Sequence, residues 1–272
     1  MAKQTIKVII PLDAAGMTEL ARLCIKKHTT DGANSVLPNS IMQTMQSLYD
    51  TASVKNQEQV MLKKDAETAT EDRNLVLGTN EKQNRYTANT ALFYVTSIRD
   101  YLLGFYRGNE RKLGTYGFVV NSPKGDVKVD IPKNADELTT LANTIVKAHN
   151  NSMPISVIPA TPIDPLTVLV AQAATLVEKA AQLSRDGEAA TQSRNLLLGV
   201  SKGQNSKTPN TIRFCLSSVR DMLLGLYRGQ EQRLGDWGFE VNSSAASANN
   251  QADVAVVDDN TNDPVTDDTI GE

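Results

Sequence analysis

The chain has 272 residues, of which 40% are apolar and 22% are charged, and this globular composition excludes a fibrous or wholly disordered protein. Its formal net charge of −3 is too small to indicate a nucleic-acid or membrane-surface binder. Two cysteines and two histidines exclude a disulfide scaffold and argue against a Cys-rich or multi-His metal centre, so we predict neither a metal nor a cofactor.

The N-terminal sequence lacks the apolar core of a signal peptide, because only three consecutive apolar residues precede Pro11. We also find no stretch of about 18 uninterrupted apolar residues, the length of a membrane span. Cys24 and Cys215 are compatible with a reducing compartment. These observations predict a cytoplasmic protein with no membrane partner.

An internal repeat with an offset of 121 residues organises the chain. The segment RNLVLG at 73–78 recurs as RNLLLG at 194–199, and about 28 of the 50 positions of 73–122 match their equivalents in 194–243. We interpret this as a tandem duplication with a first module at 2–122, a second at 123–243 and a tail at 244–272. Each module is predicted as strand, helix, long helix, helix and strand, which gives a mainly α fold: a helical bundle plus a small antiparallel sheet.

Each module opens with a short alternating strand, at 6–10 or 127–131, that ends at a proline. A helix follows, and Asn134 is its predicted N-cap in the second module, with Glu137 three residues on. Its apolar positions have the i, i+3, i+4, i+7 spacing of one helix face. They are Met17, Leu20, Ala21 and Cys24 in the first module and Leu138, Leu141, Ala142 and Ile145 in the second.

The second helix of each module is the longest predicted element. In the second module we place its cap at Asp164 and a first-turn proline at Pro165, and its end near Gly199. Apolar or small residues then recur at alternating spacings of three and four, which predicts one long packing seam. The seam residues are Leu166, Leu169, Ala173, Leu176, Ala180, Leu183, Gly187, Ala190, Arg194 and Leu197, with the same register in the first module.

The third helix is predicted to begin at Thr87 or Thr208 and to pack antiparallel along the long helix of its own module. Its stripe in the second module includes Ile212, Cys215, Leu216, Val219, Leu223 and Leu226. Gly104 and Gly225 are expected to allow a close helix contact.

A closing strand ends each module, and the segment 118–131 predicts a β-hairpin that joins the two modules. The first strand (5–10) and the last (238–242) either pair with each other, giving a closed four-stranded sheet and a monomer, or remain edges for head-to-tail strand addition. The tail at 244–272 carries seven acidic and no basic residues and is predicted to be disordered. The two modules carry +3 and +1.

Charged residues retained in both modules predict an ion-pair network that sets helix register. Arg73 falls on the apolar seam, and a hairpin of the second and third helices would place Arg99 beside Glu67, so we predict a salt bridge between them. The full set is Asp65, Glu67, Arg73, Arg99, Asp100, Asp186, Glu188, Arg194, Arg220 and Asp221.

The most strongly retained segment is rich in aromatic residues, arginine and glycine, and it is our candidate interaction segment. We expect these residues to pack at the open end of the helical bundle, and binding of a ligand or partner is the alternative. Its residues are Tyr106, Arg107, Tyr116, Phe118, Tyr227, Arg228, Trp237 and Phe239.

The retained residues form no catalytic set, so we predict a non-enzymatic structural or scaffold protein. Its partner would be a copy of itself, in a homo-oligomer or head-to-tail assembly, or another protein. Two alternatives are weak nucleic-acid or phosphate binding by the candidate interaction segment, and a carboxylate enzyme or divalent-cation site. The enzyme alternative requires a deep pocket that contains Asp65, Glu67, Arg73, Arg99 and Asp100.

Overall fold

The computed structural model describes residues 5–121 and 128–244. Within these ranges the fold is mainly helical, with short antiparallel strands. The helices are α1 (Ala14–Asp31), α2 (Asn39–Leu77), α3 (Ala91–Phe105), α4 (Ala135–Asn151), α5 (Ala160–Leu198) and α6 (Ile212–Leu226). The strands are β1 (Thr5–Ile9), β2 (Val119–Asn121), β3 (Lys128–Asp130) and β4 (Glu240–Ser244). The predicted hairpin turn at 122–125 and, apart from Ser244, the predicted disordered tail lie outside the described residues.

Helices α1 and α4 form as their sequences predict. Asn134 accepts hydrogen bonds from the backbone N–H groups of Asp136 (2.8 Å) and Glu137 (3.4 Å), and Asp13 accepts one from Gly16 (2.8 Å). All eight predicted face residues are buried, so the periodicity identified the packed face of both helices.

Helices α2 and α5 lie antiparallel and make the most extensive contact between any two described elements. Arg194 Nη1 donates to Asn56 Oδ1 (2.6 Å), while the Leu62 Cβ lies 3.8 Å from where a Gly187 Cβ would sit, so one helix descends as the other ascends. The predicted seam is therefore the contact between the two long helices, which belong to different halves of the chain.

The ends of the long helices differ partly from the prediction. Helix α5 begins at Ala160, so Asp164 is not its cap and Pro165 lies inside the helix. Gly78 and Gly199 end α2 and α5 in the left-handed conformation (φ 80° and 83°), which glycine adopts without steric cost.

The third helices begin three residues later than predicted. Thr90 and Thr211 are the N-caps, accepting hydrogen bonds from the N–H groups of Phe93 (3.2 Å) and Phe214 (3.1 Å). The residue before each cap, Asn89 or Asn210, has a positive φ, which prevents an earlier helix start.

The predicted packing of the third helix on its own long helix is wrong. Helix α3 packs mainly on α5, and α6 packs mainly on α2. Two hydrophobic clusters result, one at each end of the paired long helices. We call them lobe one, which contains α3, α4, the end of α2 and the start of α5, and lobe two, which contains α1, α6, the start of α2 and the end of α5.

The strands form two separate two-stranded ribbons, so the expected four-stranded sheet is not present in the described residues. β1 pairs with β4 and β2 pairs with β3, both antiparallel. Ile9 faces Glu240 in one ribbon, and Asp130 faces Val119 at the equivalent place in the other. The first and last strands thus pair within one chain.

Helix α5 is long and apolar enough to cross a membrane by length and composition. Its qualifying 18-residue window has a mean hydropathy of 1.3, and 22% of that window is buried. A single helix of this kind is weak evidence for a membrane span, because core helices of soluble proteins meet the same criteria.

Substitution of Gly199 tests the packing at the end of α5. A Cβ there would lie 2.9 Å from Arg213 Cβ and from Thr211 Oγ1, in addition to the positive φ. Gly203 is the matched control, because it has φ 86° and open space around it. In urea unfolding we expect Gly203→Ala to lower the free energy of unfolding by about 1 kcal/mol and Gly199→Ala to lower it by about 2–4 kcal/mol. Equal costs would contradict the described approach of α6.

Candidate functional site

Arg73 lies at the end of the seam and pairs with a residue that the sequence analysis missed. Its Nη2 donates to Asp136 Oδ1 in the first turn of α4, and its side chain is 15% exposed. Its equivalent, Arg194, instead donates to the side-chain oxygens of Asn56 (2.6 Å) and Asn195 (3.3 Å). The Nε atoms of both arginines are buried without a hydrogen-bond partner among the described residues.

The predicted Arg99–Glu67 salt bridge is absent. Arg99 donates to the adjacent Asp100 through Nε (2.9 Å) and Nη2 (2.7 Å), and Arg220 binds Asp221 in the same way (2.9 and 2.8 Å). The physical reason is the packing of α3 on α5, which removes the hairpin geometry that the prediction assumed.

The remaining carboxylates of the predicted network lie on exposed faces of the long helices. Asp186 accepts from Gln182 Nε2 (2.8 Å), and Glu67 and Glu188 lie along a central groove between α2 and α5. No described group of three His, Cys, Asp or Glu residues could hold a metal ion. The ten residues thus form no single network among the described residues. Of the five that the enzyme alternative needs, Glu67 and Arg99 line two different cavities.

The candidate interaction segment divides into buried and exposed parts. Tyr116, Phe118, Trp237 and Phe239 are buried in the two lobes, as the expected packing role requires. Tyr106 and Tyr227 are partly buried, and each lies beneath a cation, Lys112 Nζ at 5.4 Å and Arg233 Cζ at 4.3 Å from the ring centroids. Arg107 and Arg228 remain exposed.

A local turn accounts for the retained Gly-x-Glu pattern in this segment. The Gly108 N–H donates to Glu110 Oε1 (2.7 Å), and the Gly229 N–H donates to Glu231 Oε1 (2.9 Å). These backbone hydrogen bonds lower the pKa of both carboxyl groups. Both glycines have a positive φ, a conformation that glycine adopts without steric cost.

The two histidines also have local partners. His28 and His149 lie in the last turns of α1 and α4. Their Nδ1 atoms lie 2.6 Å from Ser35 Oγ and 2.7 Å from Ser156 Oγ. Each histidine thus ties the helix end to the loop that precedes the next long helix.

Two exposed apolar patches at equivalent positions are the surface feature that the sequence analysis missed. Tyr101 (41% exposed) and Phe105 (55%) stack with ring centroids 6.3 Å apart on lobe one. On lobe two, Met222 (41%) and Leu226 (56%) lie beside Val36. Leu226 was predicted in the buried stripe and is instead on the surface. We call these surfaces the lobe-one patch and the lobe-two patch.

The glycine within each patch makes no close contact. A Cβ added to Gly104 or Gly225 would meet no heavy atom within 4 Å, so the predicted close helix contact at these residues is wrong. The helix surface next to both patches is open, and on lobe two it adjoins a groove of about 470 Å³.

The buried cysteines allow a prediction about thiol chemistry. Burial raises the pKa of Cys24 to about 12 and also raises the pKa of Cys215. At pH 8 both thiols stay protonated in the folded protein, and we expect a disulfide reagent to label them only in molecules that have opened or unfolded. Rapid labelling of the native protein, compared with a urea-unfolded control, would contradict this burial.

The same shift has a stability consequence. An unfolded thiol loses its proton near the ordinary value of 9.0, whereas folded Cys24 keeps it until about pH 12, so its contribution to stability is lost between these values as pH rises.

In comparisons with known proteins, no family model, no curated protein and no solved structure matches the chain.

Proposed function

We propose that this protein is a non-enzymatic structural or scaffold protein that associates with copies of itself through helix faces. The observation that carries the proposal is the pair of equivalent apolar patches at opposite ends of the paired long helices. Contiguous exposed apolar surface is typical of protein interaction sites.

The paired helices supply the spacing between the patches. Each long helix has 39 residues and is therefore about 58 Å long at about 1.5 Å per residue. No residue of α2 between Ala52 and Ala69 is buried, and the same holds for α5 between Ala173 and Ala190. About 25 Å of two-helix rod thus lies between the lobes, which suits a spacer rather than an enclosed catalytic domain.

The 121-residue offset supports the same proposal. Helices α2 and α5, and α3 and α6, begin and end at positions 121 apart. We propose that the chain arose by duplication of one module, and that the duplication placed two versions of one binding surface on a single rod. Two linked sites strengthen association through effective concentration.

Helix faces are better candidates for association than strand edges. In head-to-tail strand addition the first and last strands would pair between molecules, but β1 and β4 already pair within the chain. We propose a cytoplasmic location, with a second copy as the partner.

Paired substitutions test the patches. We expect light scattering after size exclusion to give the wild-type protein a mass above that of one chain, and Phe105→Glu with Leu226→Glu to give the mass of one chain, because buried unpaired carboxylates oppose association. The matched control is Val54→Glu with Val168→Glu, at exposed positions on the long helices (60% and 65%), which should keep the wild-type mass.

A wild-type protein that is strictly monomeric at high concentration would remove self-association from the proposal. The scaffold would then act as an adaptor for a different protein. If the control pair of substitutions also abolished association, the added negative charge of the protein, and not the patches, would determine self-association.

A further inference from the structure

Each lobe is built from both halves of the chain, which we define as the first half (5–121) and the second half (128–244). Lobe one combines buried residues at 77–118 with buried residues at 129–173, and lobe two combines 17–52 with 198–239. Neither core is confined to the first half or to the second.

The same crossing occurs in the long-helix contact, in the contacts of α3 and α6, and in both strand ribbons, whereas α1 packs on α2 and α4 packs on α5 within their own halves. The long helices pair one from each half, and both ribbons pair one strand from each half. The buried face of α3, which includes Val95, Ile98 and Leu102, packs on α5 of the other half. A separated half would expose this face and the corresponding face of its long helix to water.

We infer that the two halves form an intertwined pair that is held by its own interface, so that the first half of one molecule can pair with the second half of another copy of this chain. Because the interface contains both hydrophobic clusters and the long-helix pair, it resembles the core of an obligate dimer. The inference concerns the core and is independent of the apolar patches.

Side-chain sizes at equivalent positions favour pairing of unlike halves. The lobe-two core combines the small Cys24 with the large Trp237, and the Cys24 thiol donates to the backbone carbonyl of Trp237 (3.2 Å). In lobe one the equivalent residues are the larger Ile145 and the smaller Tyr116. Two second halves would put the larger Ile145 and Trp237 in one core, and two first halves would put the smaller Cys24 and Tyr116 in one core. Overpacking and cavities both destabilise a core.

Cleavage of the folded chain tests the inference directly. A protease site is introduced within 122–127, the full-length protein is folded and cut, and its mass and melting temperature are measured. We expect the cut protein to keep the mass of the intact chain and its helical circular dichroism, and its melting temperature to fall on dilution, because a two-part complex unfolds by dissociation.

The control carries the same protease site after residue 250, where cleavage leaves both halves on one chain. Both cleavable proteins carry Phe105→Glu and Leu226→Glu, so that association through the patches adds no concentration dependence, and the melting temperature of the control should then not depend on concentration. Separation of the cut halves at micromolar concentration, or two concentration-independent transitions, would overturn the inference. Mixing cut samples of two isotopic compositions should give hybrid complexes after unfolding and refolding, and their absence would overturn the exchange between molecules.

A double-mutant cycle tests the preference for unlike halves. In the full-length protein Cys24→Ile should lower the melting temperature, and adding Trp237→Tyr should restore part of the loss, because the smaller ring makes room for the added atoms. The matched control is Cys24→Ile with Tyr116→Phe in the opposite lobe, which should show no rescue. If the changes in melting temperature were additive in both pairs of substitutions, the proposed preference for unlike halves on the basis of side-chain size would be wrong.

Discussion

The antiparallel pairing of the two long helices determines the position of every other described element. The C-terminal end of α2 lies in lobe one, and the C-terminal end of α5 lies in lobe two. The small buried residues Ala52, Ala69, Ala173 and Ala190 allow the two helices to pack along one another. Each lobe can form only where the end of one long helix meets the start of the other.

The sequence predicted local structure well because its causes are local. The faces of α1 and α4 follow from apolar spacing, and the Asn134 cap follows from side-chain chemistry. Two local errors also have local causes. The left-handed Asn89 delays α3, and α5 includes the turn before Pro165 although the proline nitrogen has no N–H to donate to the carbonyl four residues earlier.

The partner of each helix could not be predicted in the same way. Helices α2 and α5 repeat one pattern, so the buried face of α3 fits either of them by periodicity alone. The predicted ion pairs depended on that choice. Packing of α3 on its own long helix would have placed Arg99 beside Glu67, whereas in the structure Arg99 binds Asp100. The aromatic residues at 116, 118, 237 and 239 had two plausible roles, and their burial decides for packing.

The crossed cores have a consequence for synthesis. At about 5–20 residues per second on the ribosome, roughly 6–24 seconds separate completion of the first half from completion of the second. The faces of α2 and α3 that pack on the second half have no partner during that time, and contacts as distant as Thr5 with Ser244 form last. During this interval, the unpaired first half is able to bind the second half of another copy that a neighbouring ribosome synthesises from the same message.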